Sequence, residues 1–159
     1  MTEKLSAPIF SKKVQKLFSE AKNKWDESKM ELSEIKGVSL NGKPAFVLTN
    51  ILTKEECEIL INSSEESGFQ DAKEYCHLYK TRLNDRLMCD DKDFSELLWQ
   101  RTKKFLPTSI KKESKKWNLS YMNERWRFCK YTKGHYFGPH VGRNIQLKNR
   151  WLLPKNYKS

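Results

Sequence analysis

The run Tyr131-Thr-Lys-Gly-His-Tyr-Phe-Gly-Pro-His140 sets a tyrosine, a glycine turn and a histidine along what reads as two short strands. Its chemistry would be metal binding. A neutral imidazole, with an ordinary pKa of about 6.5, is a donor that Fe(II) accepts at cellular pH. A tyrosine hydroxyl donates a hydrogen bond to a carboxylate without adding a charge that competes with the metal. Gly134 permits a turn that returns the second strand beside the first, so that Tyr131 and His140 share one interior. Mononuclear non-haem iron is held by two imidazoles and one carboxylate, with the remaining positions open. Two residues beyond His140, where that carboxylate is expected, stands Gly142, and no histidine occurs from Val141 to Ser159. The donor set is begun and left incomplete. Each residue also has a plainer reading, Tyr131 as a core aromatic and His140 as a strand histidine with a satisfied hydrogen bond.

Several elements precede and must position this run. Phe10, Val14, Leu17, Phe18, Ala21 and Trp25 fall on one face of a helix, which predicts an amphipathic helix from Phe10 to about Lys36, stopped by Gly37. Its stripe would dock on the rest of the chain, on a partner helix or on a membrane surface, the first being the common outcome. The segment from Val38 to Leu48 reads as two short strands around Asn41-Gly42. Thr53-Lys-Glu-Glu56 has the form of a capping box, Cys57, Ile59 and Leu60 give the buried face, and Gly68 closes the helix. A third helix from Asp91 or Asp93 presents Phe94, Leu97, Leu98 and Phe105 to the core before Pro107. Lys111 to Lys116 reads as a solvated linker or loop, and Arg125-Trp-Arg-Phe-Cys-Lys-Tyr131 as a strand in a partly buried sheet.

Composition sets the bounds. With 159 residues, 37% of them hydrophobic and 32% charged, the chain has material for one modest core. Cys57, Cys76, Cys89 and Cys129 lack the spacing of a zinc site and read as reduced, mostly buried thiols. The N-terminal residues do not form a signal peptide, and the longest clean apolar run, Ala45 to Leu48, is far too short to cross a bilayer. The expectation is a soluble cytoplasmic or nuclear protein without a membrane partner. Charge is uneven: residues 1–36 carry 8 basic and 6 acidic groups, residues 37–100 carry 7 and 12, and residues 101–159 carry 16 and 2. So basic a last third either binds nucleic acid or an acidic partner through counterion release, or is a solvated face.

Taken in order, Ala45 to Cys57, Asn84-Asp-Arg-Leu-Met88, Leu98 to Pro107 and Asn123 to His140 resemble the 2-oxoglutarate and Fe(II)-dependent dioxygenases, in particular the prolyl 4-hydroxylase-like branch. The resemblance covers about residues 44–141. It implies an α+β fold in which N-terminal helices flank the first strands of a double-stranded β-helix, or jelly-roll. It divides the chain into an N-terminal amphipathic helical extension (1–36), a partial dioxygenase-like domain (37–141) and a divergent basic tail (142–159). It implies Fe(II) and 2-oxoglutarate as cofactors, with ascorbate as a further candidate, and a peptidyl or protein substrate. Position by position, His140 matches the first iron ligand and Tyr131 the tyrosine that helps hold 2-oxoglutarate. Asn84 and Arg86 match a polar motif near the site mouth, or else are loop residues that hydrogen-bond the backbone.

The family pattern is His-x-Asp, whereas the chain reads His140-Val-Gly-Arg143. One Asp inserted after Val141 would restore the pattern; a halogenase-like site with glycine in place of the carboxylate would still need a distal histidine. His77 and His135 precede the run, and side-chain alternation sets His135 on the opposite sheet face from His140. The residues after His140 are too few for the remaining strands of an eight-stranded roll. The expectation is a truncated, inactive member of the family. A competing expectation, from the charge pattern, is a basic module gripping nucleic acid with Arg125, Arg127 and Lys130 on phosphates and Trp126 and Tyr131 on bases.

Overall fold

A computed structural model describes residues 5–35, 45–71, 82–112 and 115–139. The fold is mixed α+β, with three α-helices and several small sheets, none of them closed, among the described residues. In chain order the elements are β1 (Leu5–Ser6), α1 (Lys12–Glu20), β2 (Glu31–Glu34), β3 (Phe46–Thr49), α2 (Lys54–Ser67), β4 (Arg82–Leu83), β5 (Asp85–Asp90) and α3 (Lys92–Thr102). They continue with β6 (Ser109–Lys112), β7 (Lys115–Asn118), β8 (Arg125–Lys130) and β9 (Tyr136–Phe137).

The first helix is much shorter than its apolar periodicity predicts. Ser11 caps it through Val14 N–H, and it ends at Glu20 rather than near Lys36. The reason is local competition. Asp26 accepts hydrogen bonds from Ser28 N–H (3.0 Å) and Ser28 Oγ (2.8 Å), which starts a separate 3-10 turn at Glu27–Lys29. Trp25 therefore leaves the helical stripe, and its Nε1 donates to Asn50 O at 3.1 Å. Residues 31–34, read as helix, instead form β2, antiparallel to β3 from Glu31↔Thr49 to Glu34↔Phe46. Only the second strand of the expected hairpin lies among the described residues; its first strand and the Asn41-Gly42 turn lie outside them.

The α2 capping box is present in both directions: Glu56 N–H donates to Thr53 Oγ1 (3.1 Å), and Thr53 N–H donates to Glu56 Oε2 (2.9 Å). Gly68, at φ 79°, caps the other end. The buried stripe is Glu56, Leu60 and Ser64, and Ile59 packs on the core from its flank. Cys57 is exposed, against expectation, because it sits one residue off that stripe. Cys129 is exposed too; of the described thiols only Cys89 is buried, and burial pushes its pKa up.

The core gathers Ile9, Phe10, Val14, Leu60, Leu87, Cys89, Phe94 and Leu98. Residues from the N-terminal segment thus share one cluster with α2, β5 and α3. Phe10 lies edge-on to Phe18, with ring centroids 4.9 Å apart, and Phe94 continues the stack to Trp126 at 4.8 Å. As the aspartates at its start predict, α3 is capped by Asp91, whose Oδ1 accepts from Phe94 N–H (3.1 Å). The other oxygen, Oδ2, accepts from Phe10 N–H (2.6 Å), which ties the N-terminal segment to the start of α3. Of the stretch from Lys111 to Lys116, expected as a solvated linker or loop, Lys111 and Lys112 belong to β6 and Lys115 and Lys116 to β7, and the two strands pair antiparallel.

A second buried acid joins the helices. Arg101 donates to both oxygens of Glu56, at 2.8 and 2.7 Å, and to Ile51 O at 2.9 Å, while its guanidinium lies 4.6 Å above the Trp25 ring. The two side chains are only 11% and 4% exposed. Arg101→Ala strands the Glu56 carboxylate and is expected to cost about 3–5 kcal/mol. Glu65→Ala, which removes the exposed partner of Lys130, is expected to cost less than about 1 kcal/mol. Urea denaturation followed by circular dichroism separates the two, and equal losses would contradict this ranking.

Candidate functional site

The motif residues meet along one interrupted antiparallel pair. β5 lies between β1, which runs parallel to it, and β8, which runs antiparallel from Asp85↔Lys130 to Asp90↔Arg125. β9 does not fold back beside β8. It pairs with β4 at Leu83↔Tyr136 and Arg82↔Phe137, in the same direction that β8 takes along β5. The segment from Arg82 to Asp90 therefore faces one partner, the chain from Arg125 to Phe137, broken where Asn84 opposes Tyr131 to His135. The expected strand-turn-strand is corrected to an outsized bulge. Gly134, at φ 89°, and a hydrogen bond from His135 N–H to Thr132 O (2.9 Å) throw the loop out and let the chain resume its course.

This geometry sorts the candidate residues. Asn84 is 0% exposed at the break, with Nδ2 3.4 Å from Asp85 O. Arg86 is also buried, and its backbone exchanges two hydrogen bonds with Gln70, at 2.8 and 3.0 Å. Both are buried: Asn84 stands between β4 and β5 with its amide directed at a backbone carbonyl, and Arg86 lies within β5. Tyr131 sits in the looped-out segment and is 50% exposed, so its hydroxyl does not share an enclosed interior with Asn84 or Arg86. His135 is half-buried in the same loop, with Nδ1 3.4 Å from Lys130 O. His140 and His77 lie outside the described residues.

Strand alternation gives the sheet two unlike faces. Leu87 and Cys89, with Phe128 and Trp126 opposite them, pack toward the helices. Arg86, Met88 and Asp90, with Cys129, Arg127 and Arg125 opposite them, occupy the other face. There Arg125 grips Asp90 with two hydrogen bonds, Nε at 2.6 Å and Nη2 at 2.7 Å, which holds the Asp90 carboxyl below its ordinary pKa.

The described residues do not make an iron centre, since no three histidine, cysteine or acidic side chains converge among them. Nor do they enclose 2-oxoglutarate around Tyr131. A concavity of about 260 Å³ lies elsewhere, at the entry to α2, where Trp25, Lys24, Asn50 and Glu55 line it. The strand proposed to grip nucleic acid is largely committed to the fold. Trp126 packs on Phe94 and donates from Nε1 to Ser95 Oγ (2.8 Å), Arg125 holds Asp90, and Lys130 holds Glu65 at 2.7 Å. Arg127 and Tyr131 remain exposed.

Sequence reasoning passed over Glu56, Arg101 and Asp91 as joints between segments. The caps of Glu56 and Asp91 were visible as local motifs, but nothing local announces the second partner of either acid. No family model, curated protein or solved structure matches this chain. Among the described residues, no helix is long and apolar enough to cross a membrane.

A lowered carboxyl pKa stabilises the fold above the unfolded value, and that contribution is lost as pH falls through the folded value. The advantage of the native chain over Asp90→Asn is therefore expected to be full at neutral pH and to vanish below the ordinary aspartate range, about pH 3.9. The difference in urea midpoint, measured against pH at low salt, checks this. An advantage that grows on acidification would refute it.

Proposed function

We propose that the chain is part of a domain of the 2-oxoglutarate and Fe(II)-dependent dioxygenase type, prolyl 4-hydroxylase-like, and that the 159-residue polypeptide by itself does not turn over. One observation carries this reading: the Asn84-Asp85-Arg86 motif and the run leading to His140, far apart in sequence, lie on paired stretches of chain. Helices on one face of this pairing are what a flanked jelly-roll would have at its beginning. A whole domain of this type would oxidatively decarboxylate 2-oxoglutarate to succinate and CO₂ and hydroxylate a C–H bond of a peptidyl substrate, with a prolyl residue as the target the resemblance implies.

The case for inactivity rests on the donor set. A single imidazole at His140, with Gly142 in the carboxylate position, does not hold Fe(II) against water and competing chelators. His135 is turned to the Lys130 carbonyl. The rival reading, nucleic acid on β8, is weakened because the Trp126 ring is already stacked and hydrogen-bonded inside the fold.

With added Fe(II), 2-oxoglutarate and ascorbate, the native chain is expected to release no more succinate than His140→Ala. Iron-dependent succinate release abolished by His140→Ala would overturn the inactivity. The family reading has a separate test in the genomic DNA beyond the codon for Val141. An in-frame Asp, a later His and a basic residue there support it, and their absence in every frame refutes it.

A further inference from the structure

We draw no further inference here: the strongest candidate, the exposed apolar face that Ile110 and Trp117 form on the β6–β7 pair, carries none, because Lys111 and Lys116 lie on the opposite face and nothing among the described residues shows what covers it.

Discussion

The Glu56 carboxylate is the joint on which the helical layer depends. It closes the cap of α2, accepts two hydrogen bonds from Arg101 of α3, and through Arg101 is linked to Ile51 O and the Trp25 ring. A carboxylate buried this deeply is costly unless its lone pairs are occupied, and here Thr53 N–H and the Arg101 guanidinium occupy them. The loop at Trp25, the entry to α2 and the end of α3 are held in one arrangement because the acid tolerates few others.

Asp91 does the corresponding work at the other end of α3. One oxygen caps the helix, the other takes Phe10 N–H, and its own N–H donates to Glu124 O. The N-terminal segment is thereby drawn into the core it helps to form, with β1 laid parallel to β5 and Phe10 stacked between Phe18 and Phe94. In a chain so rich in charge and poor in apolar residues, two acids with all-internal partners give specificity to a core that area alone would leave loosely defined.

The sheet follows from that anchoring. β5 is buried on both faces, and β8 and β9 share the single stretch from Arg82 to Asp90 as their partner. The excess residues between them have nowhere to pair, so Tyr131 to His135 loop out at Asn84. The motif residues are consequently split, Asn84 and Arg86 inside, Tyr131 outside. Charge is divided as well: Arg125 and Lys130 of β8 are answered by acids of β5 and α2, whereas Lys111 of β6 stands opposite Lys116 of β7 in the register.

What short-range physics decides could be read from the order of the residues. Thr53 and Glu56 three residues apart, Asp91 ahead of Phe94, Gly68 at a helix end and the alternation of Arg125 to Lys130 are signals carried by neighbours, and the structure contains each of them. The mixed α+β character and the helical part of the core were legible on that basis. The tertiary structure alone decided which strand β9 joins, where α1 stops, that β6 pairs with β7, and that Glu56 meets Arg101. Those outcomes turn on which distant group satisfies a hydrogen bond or a buried charge, and the free energy of that choice is absent from any local window of sequence.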